Sequence, residues 1–176
     1  IADCKIDGAD VITPPSLDML PTSMRRHADL GIVIVSEKKV VCAPETYLYY
    51  KEPLSAFGFE VIKGNKHVGM HYPDDCAYNV GIVGKKCFLN KNVCDEVLYE
   101  ILISEGYEII HVNQGYSKCS ICPIDENTII TADSSIFKAA LEHGFDVLHI
   151  SNDGIILDGF SKYNRQFQQS KPYTID

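Results

Sequence analysis

The chain has 176 residues, a formal net charge of −8, 45% hydrophobic and 23% charged residues, which is enough for one domain with a real core and too little for two. The acidic balance excludes a general nucleic-acid binder, which needs a basic stripe against phosphates; it suits a cationic ligand as well as ordinary solubility. No apolar run reaches the ~18 residues of a membrane span, no basic-then-apolar targeting segment is visible, and Ile1 points to an upstream piece that was processed, cut or left out.

The run Gly8-Ala9-Asp10-Val11-Ile12 opens the chain as a fragment of a unit that then recurs. Residues 31–35 and 40–43 read as two strands joined by the polar turn Ser36-Glu37-Lys38-Lys39. Residues 45–58 read as a helix that Pro53 breaks or delays, ending at Gly58-Phe59-Glu60-Val61-Ile62. The order returns with strands at 79–83 and 86–89 about Gly84-Lys85. A helix over 95–106 follows, with Val97, Leu98, Ile101 and Leu102 at helical spacing, and then Gly106-Tyr107-Glu108-Ile109-Ile110. It returns again with strands at 120–124 and 128–132 about Asp125-Glu126-Asn127. A helix over 135–144 follows, carrying Ile136, Ala139 and Ala140 and capped by Gly144, and then Gly144-Phe145-Asp146-Val147-Leu148. Residues 154–157 open an incomplete unit, and 161–176, with Pro172, read as an extended or partner-docked end.

Steps of 50, 48 and 38 residues separate the recurring glycines, a spacing typical of stacked or propeller-like repeats. Tight hairpins require antiparallel neighbours, so a purely parallel doubly wound sheet is disfavoured. The expectation is a single α/β domain over 1–176, with repeat units at about 27–65, 75–113 and 118–151 and partial units at both ends. Each unit is a small mixed sheet carrying one helix.

The seven cysteines (Cys4, Cys42, Cys76, Cys87, Cys94, Cys119, Cys122) are odd in number and lack the spacing of a secreted disulfide framework, so a reducing cytoplasm is expected. Cys42 and Cys87 sit in apolar runs, where a thiol serves as a small hydrophobe. Cys119-x-x-Cys122 is also half of a zinc site or a redox pair, which Cys76, His67 and His71 complete only through the fold. Within one strand the two thiols point to opposite faces, and neither metal nor cofactor is expected. His111 and His149 share one repeat position, with Lys63 and Thr13 in the other copies; they mark strand ends or line a ligand mouth. Tyr47, Tyr49 and Tyr50 suggest a partly exposed helix edge and a contact surface.

The repeated ββαβ unit, with His27-Ala28-Asp29-Leu30 leading into a first strand and Gln114-Gly115-Tyr116-Ser117-Lys118-Cys119-Ser120 before a later one, resembles the pentein superfamily of guanidine-modifying enzymes. The strings Tyr72-Pro73-Asp74-Asp75 and 127–133 are similar to an uncharacterised bacterial branch of it. The superfamily holds arginine and agmatine deiminases, dimethylarginine hydrolase and amidinotransferases. The resemblance covers roughly residues 5–160 and implies an α/β propeller about a pseudo-symmetry axis, here incomplete. On that scheme Asp29, Asn79 and Cys119 head equivalent first strands and come together, although 92 residues separate His27 from Cys119.

The implied chemistry is a Cys-dependent hydrolase or transferase acting on a small cationic guanidine or amidine through a thiouronium-type intermediate. A guanidinium carbon is a poor electrophile, and a thiolate is the natural nucleophile for it. The resemblance assigns Cys119 as nucleophile, His27 as general acid and base and Asp29 as guanidinium-binding carboxylate. It leaves Asp74, Asp75 and Asn79 as further substrate contacts. A non-catalytic pentein acting as a binding module is the alternative reading. Strand edges left by an absent blade would be covered by a second copy, so a homodimer is the partner expected, with neither nucleic acid nor membrane.

Overall fold

The computed structural model describes residues 11–151. Three units follow one another, each a hairpin, a helix and a returning parallel strand. Unit one comprises β1 (Ile32–Ser36), β2 (Lys39–Cys42), α1 (Pro44–Ala56) and β3 (Glu60–Lys63). Unit two comprises β4 (Gly81–Val83), β5 (Lys86–Leu89), α2 (Glu96–Ser104) and β6 (Glu108–His111). Unit three comprises β7 (Cys122–Pro123), β8 (Thr128–Thr131), α3 (Ser134–Glu142) and β9 (Asp146–His149). In each three-stranded sheet the second strand is central, antiparallel to the first and parallel to the third. This is the ββαβ repeat expected from the sequence, and the three sheets do not close into a ring among the described residues. The fragments at 8–10 and 154–157 and the tail at 161–176 lie outside those residues.

The recurring Gly–aromatic–acid–aliphatic string has one structural cause. Each helix ends with its glycine at positive φ, 81° at Gly58, 78° at Gly106 and 77° at Gly144. The glycine N–H returns to the carbonyl three residues back, and the following aromatic N–H to the one five back, as in Phe59 to Leu54, Tyr107 to Leu102 and Phe145 to Ala140. That is a Schellman stop, and glycine is favoured where φ is left-handed. The acid then starts the third strand, its N–H donating to the hairpin turn at Lys38, Lys85 or Asn127.

Lysines in the first two turns tie the ends of α1 and α2 down. Lys38 Nζ donates to Phe57 O at 3.0 Å and lies over the Phe59 ring, and Lys85 Nζ donates to Glu105 O at 3.1 Å and lies over Tyr107. The next residue in each turn reaches the following unit: Lys39 pairs with Glu105, and Lys86 donates to His143 O at 2.5 Å. These cations sit at helix C-termini, where the exposed carbonyls favour positive charge.

Helices and sheets alternate. Leu98 and Leu102 of α2 pack between Val33, Val35 and Val41 of the first sheet and Cys87 and Leu89 of the second. Ile136 and Ala140 of α3 pack between Val83, Phe88 and Ile110 of the second sheet and Ile129 of the third. Helix α1 covers the outer face of the first sheet at Val40 and Cys42 through Tyr50. The central strands β2 and β5 are therefore buried on both faces, which explains the unbroken apolar runs Val40–Cys42 and Cys87–Leu89.

Three expectations are corrected. Helix α1 neither breaks nor starts late: Pro44 opens it at its first turn, where no N–H bond is needed, and Pro53 falls near its end. The strand expected over 120–124 shrinks to two residues, because Lys118–Ser120 forms a 3₁₀ turn before it. The tyrosines of α1 are not one edge, since Tyr50 is buried while Tyr49 stays exposed and bonds Thr13 O at 2.8 Å. Among the described residues no helix is long and apolar enough to cross a membrane.

Candidate active site

Asp29 lies in a short 3₁₀ turn before β1, Asn79 two residues before β4, and Cys119 in the equivalent turn before β7. The side chains of these three blade heads meet. The Cys119 thiol donates to Asp29 Oδ2 at 2.7 Å. Asn79 Nδ2 donates to the same oxygen at 2.8 Å and lies 3.1 Å from Cys119 Sγ. Asn79 Oδ1 accepts the backbone N–H of Lys118 at 2.9 Å and of Cys119 at 3.3 Å.

Asn79 is buried and both ends of its amide are engaged within the protein. It ties the Cys119 turn to Asp29, so its expected part as a substrate contact is replaced by a scaffolding one. His27 Nδ1 stands 3.9 Å from Asp29 Oδ1 and is half exposed, so Asp29 presents one oxygen to the thiol and the other toward the imidazole. Cys119 itself is open to solvent.

The protein packed on the inner side of Cys119, together with the Asp29 carboxylate, pushes its thiol up to about 12; the Asn79 hydrogen bond and the Lys118 ammonium act weakly the other way. Near neutral pH it is therefore a protonated donor to Asp29. A thiolate there requires a positive charge brought in beside it.

The two remaining carboxylates expected at the site are placed elsewhere. Asp75 is 3% exposed and accepts the Tyr116 hydroxyl at 2.5 Å; a carboxylate sealed from solvent does not touch a diffusing substrate. Burial raises its pKa, which the Tyr116 hydrogen bond partly offsets. Asp74 is exposed on a separate cleft of about 370 Å³ shared with Lys66, His67 and Asn92. Of the groups weighed for zinc, His67 pairs with Glu45 at 2.5 Å and Cys76 donates to Pro73 O at 2.9 Å. Cys122 is exposed in β7. Among the described residues no three His, Cys, Asp or Glu side chains converge as a metal site. His111 and His149 do end their strands, but His111 Nδ1 accepts the Lys91 N–H and His149 stacks on Phe137 at 4.5 Å.

One residue that sequence reasoning passed over holds this region together. Asp95 is fully buried. It caps α2 through Leu98 N at 2.9 Å and accepts the N–H groups of Asn65 and Lys66 at 2.7 Å each and the Tyr78 hydroxyl at 3.2 Å. An Asp just before an apolar helical run signals the cap; its hold on residues 65 and 66 comes from the fold alone.

The chain belongs to a family of unknown function (DUF6873), whose model matches residues 3–162. No curated protein matches it. Among solved structures it is similar to an amidinotransferase of the saxitoxin biosynthetic pathway from Microseira wollei (11% identity, TM-score 0.48, covering 69% of this chain and 41% of that one). It is also similar to the inosamine-phosphate amidinotransferase of Streptomyces griseus (12%, TM-score 0.49, covering 65% and 38%). A third is DDAH from Pseudomonas aeruginosa, solved with citrulline (10%, TM-score 0.49, covering 71% and 52%). The chain thus spans between 38% and 52% of the length of these structures.

Proposed function

We propose that the chain is a Cys-dependent enzyme acting on a small guanidinium or amidinium compound, with Cys119 as nucleophile, Asp29 as the carboxylate that receives the cation and His27 as general acid and base. The observation that carries this is the 2.7 Å contact between a solvent-open thiol and a carboxylate that also faces a histidine. A carboxylate beside a thiol suppresses ionisation, which is a poor arrangement for a redox or general nucleophilic cysteine. It becomes useful when the substrate is itself a cation. The incoming charge pairs with Asp29, takes the place of the thiol proton there and favours the thiolate.

The released proton passes to solvent or to His27. Sulfur then attacks the central carbon, forming a C–S bond as the C=N π electrons move onto nitrogen and neutralise the substrate's charge. His27 protonates the departing amine as its C–N bond breaks, leaving an amidino thioether on Cys119. Water, losing a proton to His27, adds to that carbon, and the C–S bond breaks to return the thiol and release the ureido product. An amine in place of water makes the same site a transferase.

Incubation with arginine, agmatine and methylated arginines, followed by measurement of ureido product and ammonia, tests the reading. Turnover that disappears in Cys119→Ser and persists in Cys122→Ser supports it. Failure to turn over any guanidine or amidine refutes it in favour of a non-catalytic binding module, and equal loss in both variants refutes it in favour of a structural or metal role for the two thiols.

A further inference from the structure

The segment that carries Asn79 grips the Cys119 loop at a second point. Asp75 lies four residues before Asn79, and Tyr116 three residues before Cys119. Asp75 and Tyr116 are buried, and the Tyr116 hydroxyl donates to Asp75 Oδ2 at 2.5 Å. Asp75 Oδ1 is buried with no hydrogen-bond partner. Around this pair stand the other titratable groups of the segment, His71, Tyr72, Asp74 and Cys76. A carboxylate sealed with a single partner is costly, and simple packing of the loop does not call for it. Tyr116 already meets the Tyr72 ring at 5.6 Å. Gly115 is so close to the segment that an added Cβ would lie 2.4 Å from Cys76 Sγ.

We infer that Asp75 is a positioning residue, whose bond to the Tyr116 hydroxyl is one half of a two-point clamp, with Asn79 as the other, that seats Cys119 against Asp29. The inference deepens the proposed function and rests on it for the thiol's importance. The seating is a matter of geometry and is measured without any substrate. With one grip gone, the 116–119 loop loosens, the Sγ–Asp29 contact is lost, and the thiol ionises more readily.

The test follows iodoacetamide alkylation of Cys119 between pH 7 and 11, resolved by mass spectrometry on the full chain carrying Cys122→Ser. Continued protection of the buried Cys42 and Cys87 certifies that each variant is folded. Tyr116→Phe keeps the ring and removes the grip. It should speed the reaction at pH 8 by about tenfold or more, the equivalent of lowering the thiol's midpoint by at least one pH unit. Asp75→Asn keeps an acceptor for the hydroxyl and should leave the profile near that of the parent. In an Asp29→Asn background, Tyr116→Phe should add nothing further. If Tyr116→Phe exposes the buried thiols, Asp75→Ala probes the same grip from the other side.

An unchanged profile in the folded grip-breaking variant overturns the inference, as does an effect that persists in full without Asp29. An absence of turnover on every guanidine removes the proposed function and leaves this outcome to be decided by itself.

Discussion

Asp29→Asn tests whether the Cys119 thiol waits for a cation. At about 12, the thiol is ionised to roughly one part in 10⁴ at pH 8, whereas an ordinary cysteine near 8.5 is ionised to about a quarter. Cys119 should therefore react with neutral iodoacetamide about a thousandfold more slowly than an unhindered thiol. Burial is the largest cause of the shift, with the Asp29 hydrogen bond and charge next. Asp29→Asn should thus recover about tenfold to a hundredfold in rate rather than the whole factor.

A cation seated about 4 Å from sulfur contributes about 4 kcal/mol near a protein surface, or about three pH units. That brings the thiol from about 12 back toward about 9. Chloroacetamidine, an alkylator carrying an amidinium, should accordingly label Cys119 faster than iodoacetamide does, and that preference should collapse in Asp29→Asn. Rates read by mass spectrometry decide the matter. Free-cysteine reactivity toward iodoacetamide in the parent protein, or an amidinium preference unaltered in Asp29→Asn, refutes the reasoning.

Two further outcomes follow from buried groups. Asp95→Ala removes a helix cap and two loop hydrogen bonds, while Tyr78 keeps its 2.7 Å bond to Lys66 O, and should cost about 3–5 kcal/mol in urea unfolding; a loss below about 1 kcal/mol contradicts its part as a hub. The thiols of Cys42, Cys76, Cys87 and Cys94 are pushed up to about 12 by burial. In the alkaline range the unfolded chain releases their protons first, so stability is complete below about pH 8.5 and falls above it by up to about 1.4 kcal/mol per unit for each thiol. Denaturant titrations at pH 8 and pH 10 should show this decline, and equal midpoints overturn it.

The ββαβ order was legible because its signals are local and repeated. A Schellman glycine, an aromatic after it and a strand-starting acid all act within about six residues, and three copies reinforce one another. Pro53 misled because proline's effect depends on its distance from the helix end, which composition alone does not state. The 3₁₀ turn at Lys118–Ser120 was hidden in a run that reads as strand, since Asn79 accepts both N–H groups that define the turn's entry. Asp75 and Asn79 face inward, which a string of polar residues near a candidate site does not reveal.

The sequence by itself determined the units and their order, because a repeat imposes the same pattern on each copy, and the equivalence of Asp29, Asn79 and Cys119 came from the family resemblance laid on that repeat. Only the tertiary structure decided what those positions do to one another. The 2.7 Å thiol–carboxylate contact joins residues 90 apart, and the Lys39 and Lys86 ties between units, the Asp95 hub and the burial of Asp75 under Tyr116 join residues between 17 and 66 apart. Such contacts arise from how sheets and helices stack, and stacking is set by the summed burial of many apolar side chains rather than by any short string.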